Sequence, residues 1–329
     1  MNAFGRLFRI SILGESHGPC VGILIDGCPA GLSISEGEFA SDLERRRGGR
    51  KGTTPRKEAD VPYLKTGVFN GKTTGMPLLI TFENKDTDSE AYERIRFTPR
   101  PGQADFVAFQ KFGGFNDYRG GGHFSGRLTA GLVAAGVIAK KVLAPITVEA
   151  RLIEAGGSSD IEGAVDAAIE KQDSIGGIVE CVVTGLPIGL GEPFFDSVES
   201  LVSHIVFSIP AVRGIEFGAG FAAARMMGSE HNDELLSSDG RTKTNNAGGV
   251  NGGITNGNDI RFRVAVKPTS SISAIQHTID IRSGEPVDLS VGGRHDVCIA
   301  LRMPVIVEAA AAIVFADLML VEHRRERIR

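Results

Sequence analysis

A stretch of small residues near the middle of the chain constrains the fold more than any other feature of the sequence. Over residues 125–143, alanine and glycine recur at helical spacing, two lysines follow in the last turns, and Pro145 ends the pattern. The small residues are Ala130, Gly131, Ala134, Ala135, Gly136 and Ala139. Because so small a surface lets neighbouring elements approach closely, we predict that this helix is central and buried.

Apolar and β-branched segments on both sides of this helix predict a layered α/β (α+β) fold. Strands are expected at residues 4–13, 21–26, 63–69, 77–82, 147–155, 178–184 and 261–266. Further helices are expected after a capping box at Ser35 and at residues 161–171, 198–207 and 305–320. Asn70-Gly71 indicates a hairpin between the third and fourth strands. The charged segment 84–96 is expected to be a surface excursion.

The two halves of the chain share a short pattern. The motif G-x-P-x-G-L occurs at residues 27–32 and again at 185–190, each time after an expected strand and before an expected helix. Because both the motif and its context repeat, we predict one domain over residues 1–329 with pseudo-duplicated halves of about 1–145 and 146–329.

Composition excludes several classes of protein. The net charge is −4, and no apolar run approaches the roughly 20 residues that span a bilayer, so we expect no membrane or nucleic-acid partner. The N-terminus lacks the pattern of a signal peptide, and the four cysteines form no C-x-x-C pair. These features favour a cytoplasmic protein with reduced thiols.

A glycine triplet at residues 120–122 leads towards the central helix. Glycine lets a backbone come close to a ligand, and the first N–H groups of a helix attract anions. A flexible turn is the alternative. Because His123, Ser125 and Arg127 follow at once, our hypothesis is that this corner holds a phosphorylated cofactor.

Two loops place an imidazole beside an acid. Glu15, Ser16 and His17 lie between glycines at the end of an expected strand, and His295 stands next to Asp296. A lone loop histidine is usually only solvated, but these neighbours make His17 a candidate acid or base.

A basic loop points to a polyanionic partner. Seven arginines and lysines occur within the thirteen residues 45–57 of a chain whose net charge is negative. Nucleic acid is the rival interpretation, but the run has no aromatic side chains on which bases stack. A small molecule rich in phosphate or carboxylate therefore fits better.

Simpler catalytic sites find little support. Cys298 near His295 is only a weak hint of zinc, and we expect no metal site. Ser16, His17 and Asp296 suggest a hydrolase triad, but no G-x-S-x-G motif accompanies them. The Walker and G-x-G-x-x-G nucleotide motifs are also missing.

Taken in order, the motifs resemble one family, the chorismate synthases. They are GESHG at residues 14–18, RRR at 45–47 with TTPR at 53–56, YRGGG at 118–122 with Ser125 and Arg127, NNAGG at 245–249, KPTSS at 267–271 and RHD at 294–296. Six motifs in order span nearly the whole chain, which is identified as a member on that basis.

The resemblance implies a lyase of the shikimate pathway and of aromatic amino acid biosynthesis. Its reaction would be the anti-1,4-elimination of phosphate from 5-enolpyruvylshikimate 3-phosphate, giving chorismate. Reduced FMN would be needed without net redox change, with NADPH (NADP) as a possible reductant. No flavin-reductase module is evident, so we expect reduced FMN from an outside source. The resemblance also implies a homotetramer and a sandwich of sheets around central helices.

The resemblance further assigns site residues by position. The FMN-binding residues would be His123, Phe124, Ser125, Pro210, Ala211, Gly252, Lys267, Pro268, Thr269, Ser270, Ser271 and Arg294. Arg46 and Arg50 would bind NADP or substrate, with Lys51 as the alternative to Arg50. His17 would protonate the departing phosphate, and Asp296 would position groups for removal of the C6 hydrogen.

Two positions depart from the pattern of the family. Gln103 stands where a histidine is expected to protonate the flavin, and an amide cannot shuttle a proton at neutral pH. His123-Phe124 replaces the Arg-Ser of many members. Our hypothesis is that FMN still binds and that His123 partly supplies the missing imidazole. The alternatives are a weakly active member or an FMN-dependent oxidoreductase.

Overall fold

Two antiparallel sheets enclose two long helices in the computed structural model, which describes residues 2–56, 58–292 and 295–324. The α-helices are α1 (Ala40–Arg46), α2 (Glu90–Arg94), α3 (Asp105–Phe112), α4 (Thr129–Leu143), α5 (Ile161–Glu170), α6 (Val198–Ser208), α7 (Gly228–His231) and α8 (Met303–His323). The strands are β1 (Ala3–Phe4), β2 (Arg9–Gly14), β3 (Cys20–Asp26), β4 (Tyr63–Leu64), β5 (Val68–Phe69), β6 (Lys72–Thr73), β7 (Leu78–Glu83), β8 (Thr147–Ala155), β9 (Gly177–Thr184), β10 (Val212–Phe217), β11 (Val250–Asn251), β12 (Ile254–Thr255), β13 (Ile260–Val266), β14 (Gln276–Ile279) and β15 (Pro286–Leu289).

These elements stack in four layers. The first sheet has the order β1-β2-β3-β7-β4 and packs on α4, and the second has the order β10-β13-β9-β8 and packs on α8. The helices α4 and α8 pack against each other between the sheets. The layered α+β sandwich predicted from the sequence is confirmed.

Small residues allow α4 to sit at the centre of this stack. A Cβ atom on Gly131 would lie 2.9 Å from the carbonyl oxygen of Gly22 in β3. A Cβ atom on Gly136 would lie 2.6 Å from the Cα atom of Ala309 in α8. Both distances are too short for a real side chain, so the helix touches the sheet on one side and α8 on the other. The prediction of a central, buried helix is confirmed.

The C-terminal helix is the apolar partner of α4. The segment Ile299–His323 is long and apolar enough to cross a bilayer, but 78% of its most apolar window is buried inside the protein. That burial is expected for a helix that contacts both α4 and the second sheet.

The two sheets share one topology. In each, the strands that follow one another in the chain lie in the spatial order first, second, fourth, third, as β2-β3-β7-β4 and β8-β9-β13-β10. A short hairpin, β5-β6 or β11-β12, precedes the fourth strand in both halves. A long helix, α4 or α8, is the last regular helix of each half.

The repeated G-x-P-x-G-L motif makes the same contacts in both halves. Thr73 Oγ1 donates to the carbonyl oxygen of Pro29 (2.6 Å) and accepts from the backbone N–H of Leu32 (3.0 Å). Thr255 Oγ1 donates to the carbonyl oxygen of Pro187 (2.7 Å) and accepts from the backbone N–H of Leu190 (2.9 Å). In each half the motif therefore fastens the loop after the second strand to the short hairpin.

Some predicted boundaries were wrong. The strand expected at residues 4–13 is divided into β1 and β2. Asn70-Gly71 joins β5 to β6 rather than to the strand expected at 77–82, which is present as β7 and pairs with β3 and β4. Both turn residues have positive φ (48° and 69°), so two residues suffice to reverse the chain.

The central helix begins later than expected. The hydroxyl of Ser125 accepts from the backbone N–H of Arg127 and caps a separate 3-10 turn, Gly126–Leu128, before α4 starts at Thr129.

Candidate active site

Most of the loops singled out in the sequence meet around a cavity of about 640 Å³, but residues 245–254 are not among those that line it. Among the described residues, eight cations and five carboxylates line it. The cations are Arg46, Arg47, Arg56, Arg94, Arg100, Arg127, Lys267 and Arg302, and the carboxylates are Glu58, Asp60, Asp86, Asp88 and Asp296. The cavity is therefore locally positive in a chain whose net charge is −4, which favours an anionic ligand.

The glycine triplet contributes by leaving space for a side chain from another loop. Gly120 has a φ of 60°, and a Cβ atom there would lie 2.6 Å from Nε2 of His17. The triplet does not run into α4 as expected, because the 3-10 turn intervenes. Its role in the geometry is to let the imidazole of His17 pack against bare backbone.

His17 is held from several sides at the cavity wall. Its Nδ1 atom is 2.8 Å from the hydroxyl of Ser89, and its ring meets that of Tyr92 edge-on, with the centroids 5.3 Å apart. Burial, followed by the positive charge of Arg56, lowers the pKa of His17 below 6.5. The ring is therefore mostly neutral at neutral pH in the absence of an anionic ligand.

A buried arginine pair shares one carboxylate. Arg46 is only 2% exposed, and its Nη1 atom lies 3.7 Å from Asp60, which also pairs with Arg127. Burial lowers the pKa of Arg46 to about 9, against the opposing effect of Asp60, so the guanidinium stays charged at neutral pH. Although burial alone would raise it, Arg46 and Arg127 lower the pKa of Asp60.

Three guanidinium groups of the basic loop have a donor without a described partner. Arg56 donates to Ser16 Oγ (3.3 Å) and to Glu58 (2.8 Å). The buried Nε atoms of Arg46, Arg47 and Arg56 have no hydrogen-bond partner among the described residues. Buried donors without partners are unusual in folded proteins, and here they belong to cavity-lining side chains.

Asp296 links two walls of the cavity. One of its oxygens accepts from the backbone N–H of Thr54 (2.9 Å), and the other accepts from Arg302 (3.0 Å). Arg302 also donates through Nε to the carbonyl oxygen of Arg46 (2.7 Å). Because these contacts occupy both oxygens, the carboxylate fixes the basic loop to the start of the C-terminal helix.

The loop at residues 267–271 supplies a third wall. Lys267 donates to Ser270 Oγ (2.6 Å), and Arg100 donates to Ser271 Oγ (3.0 Å). Burial lowers the pKa of Lys267. The buried hydroxyl of Thr269 has no partner among the described residues. A cation and hydroxyls on one loop suit a phosphate or a polar ring edge.

Most of the site residues predicted from the sequence come together here. Those that line the cavity are His17, Arg46, Phe124, Ser125, Pro210, Ala211, Lys267, Pro268, Thr269, Ser270, Ser271 and Asp296. They come from loops that are up to 279 positions apart, between His17 and Asp296 (296 minus 17).

Three of the predicted residues that the structure describes are not among those that line it. His123 turns away, with Nδ1 2.8 Å from the carbonyl oxygen of Gly14. Arg50 donates to the carbonyl oxygen of Arg45 (2.8 Å), and its proposed substitute, Lys51, pairs with Asp166 (2.5 Å). Gly252 lies in the turn between β11 and β12. Arg294 lies outside the described residues.

The segment 84–96 lies at the surface as expected, since none of its residues is buried, but it also has a part in the cavity that was not predicted. It carries α2, and six of its side chains line the cavity: Asp86, Asp88, Ala91, Tyr92, Arg94 and Ile95. Its charged composition concealed this role, because charges that face a ligand cavity and charges that face water look alike in a sequence.

Other cavity residues were not assigned a role beforehand. Arg100 and Arg302 carried no pattern that would have distinguished them from surface arginines. His295 stood in a quoted motif, and burial lowers its pKa below 6.5. Among the residues that the structure describes, no group of three or more histidine, cysteine or carboxylate side chains is placed to hold a metal ion.

Comparisons with known proteins all point in one direction. A family model described as chorismate synthase matches residues 8–320. The chorismate synthase of Chitinophaga pinensis is 65% identical over 329 residues, covering 100% of this chain and 99% of its own. That of Dehalococcoides mccartyi is 46% identical over 351 residues, covering 97% of this chain and 96% of its own. A crystal structure of chorismate synthase matches with a TM-score of 0.74 at 27% identity, over 97% of this chain and 93% of that one.

Proposed function

The chain belongs to the chorismate synthase family of shikimate-pathway lyases, and we propose that the cavity lined by His17 is where it forms chorismate. The reaction is the elimination of phosphate from 5-enolpyruvylshikimate 3-phosphate. The observation that carries this placement is the meeting of the imidazole of His17 with more cations than carboxylates in a cavity of about 640 Å³. The substrate bears two carboxylates and a phosphate, so its charge complements the wall.

The family in general requires a reduced flavin, and the residues present fit one. The hydroxyl of Thr269 and the Nε atoms of Arg46 and Arg56 are buried without described partners, as expected of groups that await a polar ligand. We propose that reduced FMN is held by Phe124, Ser125, Pro210, Ala211 and residues 267–271. When bound, the reduced flavin supplies transient electron density to the substrate without net redox change. NADPH is the proposed outside reductant.

His17 would act as the proton donor. The C3–O bond of the substrate breaks, its electron pair leaves with the phosphate, and the proton moves from Nε2 of His17 to the departing oxygen. The C6–H bond also breaks, and its electron pair forms a double bond between C6 and C1, while the pair of the existing C1=C2 bond moves to C2–C3 as phosphate leaves. The C6 proton passes to solvent and His17 regains a proton from solvent, so protons and electron pairs balance.

Other residues of the chain would neutralise the charge of the substrate and hold the walls of the cavity in position. Arg46 and Arg127 offer fixed positive charge to the substrate, and their shared Asp60 keeps them in place. Asp296 holds the backbone of Thr54 and the side chain of Arg302, which fits a positioning role better than that of a free base.

Anaerobic turnover tests this function. The protein is incubated with 5-enolpyruvylshikimate 3-phosphate and photoreduced FMN, and phosphate and chorismate are measured together with the flavin spectrum. We expect both products in equal amounts with the flavin still reduced at the end. His17→Asn should lower the rate by about 10²-fold or more, because general acid catalysis contributes that much. Net flavin oxidation in step with substrate loss would instead support an FMN-dependent oxidoreductase.

We further propose that the protein is a cytoplasmic homotetramer. In the isolated chain, several large aromatic side chains of the second half are exposed, among them Phe194 (85%), Phe195 (91%) and Phe221 (79%). Exposed apolar surface of this kind is typical of a face that other subunits cover.

A further inference from the structure

We propose that Ser89 is a positioning residue that holds His17 with Nδ1 fixed and Nε2 directed at the substrate. The inference rests on the proposed function, because it assigns a role within the same elimination. Ser89 lies in the segment 84–96, whose sequence gave no hint of a part in the chemistry.

The geometry around the imidazole carries the proposal. The hydroxyl of Ser89 is 2.8 Å from Nδ1, which is hydrogen-bonding distance, and no other described residue hydrogen-bonds the ring. Tyr92, one turn further along, meets the ring at an interplanar angle of 84°. Gly120 lies against the Cδ2–Nε2 edge. Ser89 and Tyr92 thus fix the rotation of the ring, and Nε2 is the nitrogen left for a ligand.

Ser89 is itself anchored. Just before it in the chain, the backbone N–H groups of Lys85 and Asp86 donate to Glu58, at 3.3 and 3.2 Å. Asn84 donates to the carbonyl oxygens of Glu15 and Gly18, on either side of His17, at 2.9 and 2.8 Å. The loop that carries the imidazole and the segment that carries the serine are therefore tied together beside the bond they share.

On the other side of Ser89, the phenol of Tyr118 donates to Glu93 (2.6 Å). Tyr118 directly precedes the loop that contains Gly120. The segment is therefore fastened on both sides of Ser89 by contacts that do not involve His17, and these place the backbone that carries the serine hydroxyl.

The charges that face the ring come from three elements. Arg56 belongs to the basic loop, Asp88 to the segment of Ser89, and Asp117 and Arg119 to the loop before the glycines. The arginines lower the pKa of His17 and the carboxylates raise it, while burial, the largest cause, lowers it. Binding of a dianionic phosphate beside the ring would raise the pKa of His17, so that the ring is protonated when the substrate is bound.

A serine suits this arrangement better than a carboxylate. In the charged imidazolium, Nδ1–H donates to the serine oxygen and Nε2–H faces the leaving phosphate. When Nε2 gives up its proton, the neutral ring keeps the proton on Nδ1, which still donates to Ser89. Nε2 of the same tautomer can then accept the next proton. A neutral acceptor orients the ring without holding its positive charge, so the proton leaves readily.

Three substitutions at position 89 test the proposal. Ser89→Ala removes the contact, Ser89→Thr keeps the hydroxyl, and Ser89→Asp replaces it with a charge. We expect Ser89→Ala to lower kcat by about 10-fold or more with KM within about twofold, since orientation of a general acid is lost while binding charge remains. Ser89→Thr should restore most of kcat. Ser89→Asp should move the inflection of the kcat/KM profile to higher pH, because a nearby negative charge raises the pKa of His17.

A second readout does not depend on turnover. Nitrogen-15 NMR of the full chain without ligands reports the tautomer and pKa of His17 directly. We expect one tautomer, protonated at Nδ1, in the wild type and in Ser89→Thr, and a mixture in Ser89→Ala. Ser158→Ala, a similar change in the second half, is the control for the substitution itself, and thermal unfolding checks that each variant folds.

The possible failures are distinguishable. If the wild type releases no phosphate, the proposed function fails, and the NMR experiment still decides the contact. If the wild type is active but Ser89→Ala keeps its kcat, its pH profile and a single His17 tautomer, the role of Ser89 is overturned.

Discussion

Gln103 lies at the wall of the cavity, where its side-chain oxygen accepts from the backbone N–H of Ala104 (3.1 Å). The hypothesis that His123 replaces the missing imidazole finds no support in the geometry, because His123 is hydrogen-bonded to Gly14 and does not line the cavity. His295 is the second imidazole that does, after His17.

Restoring the expected histidine tests whether Gln103 limits the rate. We expect Gln103→His to raise kcat by up to about 10-fold with photoreduced FMN, because it adds a group that transfers protons near neutral pH. The KM for substrate should change little. No gain in rate would show that Gln103 is not limiting.

The same experiment examines His123. Adding His123→Gln to the wild type should change kcat by less than about twofold, since the ring faces the carbonyl oxygen of Gly14. If His123→Gln instead lowers kcat strongly in the wild type but not in the Gln103→His variant, His123 does supply the missing proton.

The candidate residues that line the cavity are mostly those where local chemistry and a family motif coincide. His17 stood out beside Glu15 and Ser16, the resemblance assigned roles to Arg46 and Asp296, and all three line the cavity. Arg50 was assigned by the same resemblance but is not among the lining residues. Side-chain direction in an irregular loop depends on which carbonyl oxygens and carboxylates lie nearby, and residue type does not specify these.

Among the secondary-structure elements, the short hairpins show how much of a contact a sequence motif can predict. The G-x-P-x-G-L pattern was visible at both positions, but its partners, Thr73 and Thr255, carried no recognisable signal. Each threonine is buried (5% and 1% exposed) and uses its one hydroxyl both to donate and to accept.

Replacing either threonine should lower the free energy of unfolding by a similar amount. Thr73→Val and Thr255→Val keep the side-chain volume but leave a proline carbonyl and a leucine N–H unpaired. We expect each to lower the free energy of unfolding by about 1–3 kcal/mol, measured by denaturant titration. The double variant should show the sum, because the sites belong to different sheets. Thr66→Val, at a more exposed position, serves as a control with a smaller expected loss.

At the scale of the whole molecule, we propose that residues 1–145 and 146–329 are pseudo-duplicated halves of one domain. Support comes from the shared strand order, the matching hairpins and the equivalent threonine contacts. Each half presents one long helix that packs on its own sheet, and α4 and α8 bury the remaining surface against each other. The two halves therefore complete a common core.

The proposed homotetramer makes a prediction about mass. Four chains of 34.9 kDa give about 140 kDa, to be measured by light scattering after size exclusion. Phe195→Asp should shift the protein towards smaller species, because it places a charge where an exposed aromatic ring stands. Lys171→Asp introduces the same side chain at another exposed position and should leave the mass unchanged. A monomer of normal stability and full activity in the wild type would contradict the tetramer.

The layered α+β class, the buried central helix and the residue types of the candidate site were predictable from the sequence. These follow from periodicity, side-chain size and local chemistry, which are properties of neighbouring residues. The hairpin at Asn70-Gly71 joins β5 to β6 rather than to β7, and the segment 84–96 forms a wall of the cavity, because of the tertiary structure alone. The tertiary structure also brought Ser89 to within 2.8 Å of His17. Those outcomes depend on contacts between residues far apart in the chain, which no local pattern encodes.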